Sequence, residues 1–322
     1  MGKKFAVLLL GVVFITVLAA GCGQGRSGEN AGGQPNELSG TIIIDGSSTV
    51  FPITEAVAEE FQIKHSGVRV NVGVSGTGGG FKKFSAGETD FNDASRPIKD
   101  SEREACAANN IEYVQFPVAY DGISVVVSRE NDFAESMTVA ELKELWMPGS
   151  IVKKWNQIRS EWPDLEVTLF GPGTDSGTFG YFTEAIAGAE GASRSDFTAS
   201  EDDNVLVRGV AGNKGGLGYF GYSYYVENKD KLRAVAIDAG DGAGPVVPTD
   251  ATINDGSYRP LSRPLFFYVK KESLRRPEVQ AFIKFYLTEG PELIKQVKMV
   301  PLQEERYSQN LEKLDQLSAE MQ

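Results

Sequence analysis

Three times in this chain a short apolar strand runs into a turn of glycine, serine and threonine and leaves it as an amphipathic helix. The turns are Gly46-Ser47-Ser48-Thr49-Val50, Ser75-Gly76-Thr77-Gly78-Gly79-Gly80 and Asp175-Ser176-Gly177-Thr178. Strands alternating with helices in this way imply an α/β protein with mostly parallel sheets. In open sheets of that kind, ligands gather outside the carboxyl ends of the strands. Residues 41–44 read as the first strand, and Ile53, Val57 and Phe61 then recur at helical spacing after Pro52. Residues 68–74 alternate as a second strand, followed by a glycine-rich loop to Gly80 and a helical piece over 81–86. The patterns Ser101-Glu102-Arg103-Glu104 and Thr138-Val139-Ala140-Glu141 fit capping boxes, so each should open a helix. Residues 167–170 lead as a strand into a helix with Phe179, Phe182 and Ile186 on one face, and residues 263–269 read as an apolar core strand. Helices should follow near Pro277 and around 293–297.

The chemistry of the turns follows from their place. The first turn of a helix leaves backbone N–H groups without acceptors, and its dipole favours negative charge there. Serine and threonine hydroxyls add donors, and glycine lets a ligand come close to the backbone. Any one such turn reads better as an ordinary N-cap or turn, but three in matching positions describe a cradle for an oxyanion.

Several function classes are disfavoured. The formal net charge of −12, from 32 basic and 44 acidic residues, is wrong for a nucleic-acid partner. His65 is the sole histidine, which argues against a Ser-His-Asp triad and a His-rich metal site, and there is no P-loop pattern. Serine chemistry with a lysine base stays open. The expectation is a binding protein without metal or cofactor, and not an enzyme.

The N-terminus reads as an export signal over 1–21: Lys3 and Lys4, then an apolar run ending in small residues before a cysteine. Leu18-Ala19-Ala20-Gly21-Cys22 resembles a lipobox, with Ala19 where leucine is commoner. Cys22 is then the lipid attachment point, 22–39 a flexible tether, and the protein an extracytoplasmic lipoprotein anchored to the cell membrane. Cys106 is left without a partner, so no disulfide is expected. The chain beyond the tether exceeds one typical core and favours two lobes or one large α/β domain.

The segments 45–52, 75–81, 92–97, 119–122 and 171–179, in that order, resemble motifs of the phosphate-binding proteins of ABC-type phosphate transporters, and the resemblance spans residues 40–305. It implies a two-lobed type II periplasmic-binding fold with a ligand cleft between lobes, 40–120 plus 264–322 forming one lobe and 121–263 the other. It also implies a monomer that binds inorganic phosphate and delivers it to an ABC-type permease. By the same resemblance, ligand contacts fall on Ser47, Ser48, Thr49, Ser75, Thr77, Ser176, Gly177 and Thr178. Two departures stand out. A branch of the family carries arginine four residues before the serine of its Ser-Gly-Thr loop, where this chain has Pro172, and aspartate in the third segment, where this chain has Ser95-Arg96. Arg96 is therefore the expected pocket cation. Asp121 is the first candidate to accept the ligand's proton and exclude sulfate, with Asp175 and Asp93 behind it. A receptor for sulfate or molybdate and a structural surface lipoprotein are the alternatives.

Overall fold

The structure is a computed structural model that describes residues 38–174, 176–200 and 202–320. The signal segment, Cys22, the tether up to residue 37 and Asp175 lie outside the described residues.

In chain order the elements are β1 (Gly40–Gly46), α1 (Phe51–Lys64), β2 (Val68–Val72), α2 (Gly76–Ser85), β3 (Phe91–Ala94), α3 (Asp100–Ala108) and the 16-residue β4 (Tyr113–Ser128). There follow β5 (Ser136–Thr138), α4 (Val139–Trp146), β6 (Thr168–Pro172), α5 (Gly177–Ala187), β7 (Thr198–Ser200), α6 (Asp203–Ala211), β8 (Gly216–Gly221) and α7 (Tyr222–Glu227). The chain continues through β9 (Leu232–Ala234), β10 (Ala236–Asp238), α8 (Asp250–Asn254), β11 (Ser262–Lys270), α9 (Pro277–Thr288), α10 (Gly290–Gln296), β12 (Val300–Pro301) and α11 (Glu304–Glu320).

Local rules account for most of these elements. Ile53, Val57 and Phe61 face inward from α1 with no exposure, each contributing about 1.5–3 kcal/mol of apolar burial. Helix α4 opens on the expected capping box: Thr138 Oγ1 accepts from the Glu141 N–H at 3.1 Å, and Glu141 returns the bond to the Thr138 N–H at 2.7 Å. Helix α5 buries Phe179, Phe182 and Ile186 and stops at Gly188 in the left-handed region, φ 94°.

Two expectations fail. Ser101 does not cap α3, because the Glu102 carboxylate takes the Lys99 N–H at 2.8 Å and the helix starts at Asp100. The glycine run expected as a loop is instead the opening of α2. Packing overrides the poor helix propensity of glycine there: Phe81 and Phe84 are buried, and Gly80 sits against Gly46, where any side chain would collide.

The main sheet has strand order β2-β1-β3-β11-β4-β8-β6-β7, with β9 and β12 also paired to β4. β1 lies parallel to β2 and β3, and β6 parallel to β7 and β8, as βαβ units require. The centre is antiparallel, since β4 pairs that way with β8, β9, β11 and β12, and β11 with β3. The sheet is thus mixed rather than mostly parallel, because β4 and β11 pass straight from one half to the other without a crossover helix.

The described residues form one compact unit, inside which the buried apolar side chains separate into two large cores. One takes Ile42 to Ala119 and Leu265 to Leu314, and the other Ile123 to Leu261 with Val300. Along β4 the change falls between Ala119 and Ile123, and along β11 just before Leu265. Tyr120 packs against both cores. Directly across this change-over, Asp121 of β4 stands in register with Arg263 of β11.

Candidate functional site

A cleft of about 670 Å³ opens where the turn after β1, the first turns of α2 and α5, the end of β3 and the start of β11 converge. Seven of the residues singled out from the sequence line it: Ser47, Ser48, Thr49, Thr77, Ser95, Arg96 and Gly177. The turns come together closely, for a Cβ on Gly177 would lie 3.0 Å from Thr49 Oγ1. Thr77 Oγ1 lies 3.3 Å from Ser95 Oγ and accepts from the Ser95 N–H at 3.2 Å, which fixes the second turn to the end of β3.

Four others are not among the lining residues. The Ser75 hydroxyl donates to Asp45. Ser176 caps α5 by accepting from the Thr178 N–H at 3.2 Å, which sets the helix start on either side of the lining residue Gly177. Asp121 is 3% exposed and stands behind Arg263, receiving Nε at 3.2 Å and Nη2 at 3.1 Å on one carboxylate oxygen. Burial raises its pKa, and the charge and hydrogen bonds of Arg263 oppose that rise. The carboxylates that do line the cleft are Glu184 and Glu190.

Arg96 reaches the cleft, but its fork is taken up by Glu102, with Nη1 and Nη2 at 2.9 and 2.7 Å from the two carboxylate oxygens. Arg263 is the residue that sequence reading missed. Its guanidinium donates to Thr49 Oγ1 at 3.1 Å, rests 3.8 Å from the centroid of the Tyr181 ring, and is oriented by Asp121. Tyr181 is held in turn by its hydroxyl, which donates to the Pro260 carbonyl at 2.6 Å. One cation at the change-over between cores therefore touches the β1 turn on one side and α5 on the other. The signal for it was a cation opening an apolar strand in a chain that lacks the family arginine at Pro172.

Behind the turns lie two buried carboxyls on opposite faces of the sheet, Asp45 and Asp93. Asp45 is held by Lys83 Nζ at 2.6 Å. Asp93, 2% exposed, has one carboxylate oxygen with no hydrogen-bond partner. Its burial pushes the pKa up to about 7, the nearby Asp45 charge adds to the rise, and a hydrogen bond from Thr54 opposes it. Between pH 3.8 and about 7 the folded protein thus keeps a proton that the unfolded chain has released, so this group's contribution to stability falls as pH rises through that window. Asp93→Asn, which cannot ionise, should gain in melting temperature over the parent from about pH 5 to about pH 8. An equal difference at both ends would contradict this origin.

A two-core α/β chain with a cleft lined by helix N-termini, hydroxyls and arginine is in form a solute-binding protein for small anions. The profile of the PBP superfamily domain matches residues 31–289. Protein SphX of Synechococcus elongatus is 48% identical over 269 residues, 83% of this chain and 79% of its own length. The phosphate-binding protein PstS of Staphylococcus haemolyticus is 39% identical over 315 residues, 97% of each chain. The crystal structure of a possible phosphate binding protein from Planctomyces limnophilus superposes with a TM-score of 0.81 at 52% identity, covering 88% of this chain and 99% of that one. The chain belongs to the PBP superfamily and, within it, to the family of these PstS and SphX proteins.

Proposed function

We propose that the protein binds inorganic phosphate in this cleft, outside the cytoplasm, and delivers it to an ABC-type phosphate permease. The observation that carries the reading is Arg263, a partly buried cation fixed by Asp121 among the hydroxyls and helix starts of both cores. Ser47, Ser48, Thr49, Thr77, Ser95 and Gly177 supply the surrounding donors, and Arg263 takes the part of the cation absent at Pro172. Arg96, tied to Glu102, shapes the rim. Hydroxyl lone pairs and the lining carboxylates Glu184 and Glu190 offer acceptors that a protonated phosphate can use and that repel sulfate. Asp121 serves by holding Arg263 rather than by accepting the ligand's proton.

The two cores are read as two lobes, 40–120 plus 264–322 and 121–263, that close over the ligand about the β4 and β11 strands. Cys22 is read as a lipid anchor that keeps a monomer at the membrane. Among the described residues no helix is long and apolar enough to cross a membrane. Saturating phosphate should shrink the radius of gyration in small-angle scattering and raise the melting temperature, as any ligand specific for the folded form does. Unchanged dimensions with a raised melting temperature would leave the binding and remove the closure.

A further inference from the structure

We propose that Asp93 takes up a proton when phosphate enters the cleft, so that ligand binding and protonation of this buried carboxyl are coupled. The inference rests on the phosphate reading above and on where Asp93 stands. It is in register with Gly46 across the β1–β3 pair, and its carbonyl accepts the Ser47 N–H at 3.0 Å. The residue is thus one hydrogen bond from the turn that would hold the anion.

The groups around its carboxyl give it no counter-charge. Asp45 of β1, on the opposite face of the sheet, is a like charge that adds to the rise in its pKa, and Asp45's own partners are Lys83 of α2 and the Ser75 hydroxyl. From α1 comes the Thr54 hydroxyl, which bonds the carboxyl and lies 3.1 Å from the Tyr286 hydroxyl of α9. Burial holds the Tyr286 phenol neutral by raising its pKa well above the usual range. On β11 its cross-strand partner is Phe267. Asp93 has no ion pair among the described residues, and one of its carboxylate oxygens has no hydrogen-bond partner.

Such a group responds to added charge. An anion held at the Ser47 turn brings a further negative charge through a wall with little water to screen it, and a like charge favours the protonated carboxyl. With its pKa already near 7, Asp93 is part-protonated at neutral pH, so binding can draw in up to about half a proton. Linkage then makes binding tighten as pH falls through neutrality by more than the ligand's own titration requires.

The test is difference infrared spectroscopy of phosphate addition near neutral pH, with calorimetry in two buffers of contrasting ionisation enthalpy. The parent should gain the C=O stretching band of a buried protonated carboxyl, and Asp93→Asn should not. Proton uptake per phosphate should be larger in the parent than in the variant by up to about 0.5, a difference from which the ligand's own protons cancel. Thr54→Val should shift the band's frequency, because it removes the hydrogen bond to that carboxyl, and this arm stands even if Asp93→Asn fails to fold. Phosphate binding by the parent without the band, equal uptake in parent and variant, or a band unmoved by Thr54→Val would each overturn the proposal. If the parent showed no phosphate heat at all, the function reading itself would fall, which is a different failure.

Discussion

Arg263→Met should weaken phosphate binding by roughly 100-fold or more. A charge-assisted hydrogen bond contributes about 1.5–3 kcal/mol, and the loss of two corresponds to about two to four powers of ten in affinity. The side chain is 16% exposed and pre-oriented by Asp121 and Tyr181, so little ordering cost falls on the ligand. The substitution also strands Asp121, buried beside it, and breaking a buried pair from one side costs about 3–5 kcal/mol of stability. Combining it with Asp121→Asn should restore much of the melting temperature without restoring affinity, which separates the two effects. Arg96→Met should change affinity by less than about tenfold, since that fork is already committed to Glu102. The reverse ranking of the two arginines in a calorimetric titration would show that Arg96 leaves Glu102 for the ligand and that Arg263 is structural.

The second large effect is expected at Gly80. A Cβ there would lie 2.0 Å from Asn92 Oδ1 and 2.6 Å from the Gly46 Cα, and the latter is backbone that cannot swing aside. Gly46 itself has φ 144°, so the β1 turn has little freedom to yield. Gly80→Ala should therefore cost about 1–3 kcal/mol or more through overpacking, and should displace the turn that presents Ser47 to Thr49. Phosphate affinity should fall with it by at least about tenfold. Gly78→Ala, two residues earlier in the same helix, meets nothing nearer than Arg96 Nη2 at 3.6 Å. It should be neutral or gain up to about 1 kcal/mol from helix propensity. Thermal denaturation of the pair decides the matter, and an equal gain at both positions would mean that helix propensity rather than contact with Gly46 governs the segment.

The same two positions explain what could and could not be read in advance. Apolar spacing in α1 and α5, and the capping box of α4, are local signals that the folded chain keeps. The glycines of α2 carry the opposite local signal, and the reason for Gly80 among them is a contact with Gly46 of β1 across more than thirty residues of sequence. Helix α11 went unread for a related cause: it buries only Tyr307, Asn310 and Leu314, too sparse a stripe to stand out among charged neighbours. The hydroxyl turns were legible because their chemistry and their place at strand ends coincide, and most of them do line the cleft. The cation was not. Arg96 lay inside a recognisable motif, whereas Arg263 lay at the head of an apolar strand, and only the register of β11 with β4 sets it over Asp121. Asp121 likewise read as a free carboxylate until that register supplied its partner.

The central claim is a one-to-one phosphate site built around Arg263, and calorimetric titration with phosphate and with sulfate near neutral pH tests it most directly, after unfolding and refolding to strip carried-over ligand. The account predicts one phosphate per chain, sulfate weaker by at least about 100-fold, and loss of the phosphate signal in Arg263→Met. Comparable binding of sulfate, or no binding of either anion by the refolded protein, would contradict it.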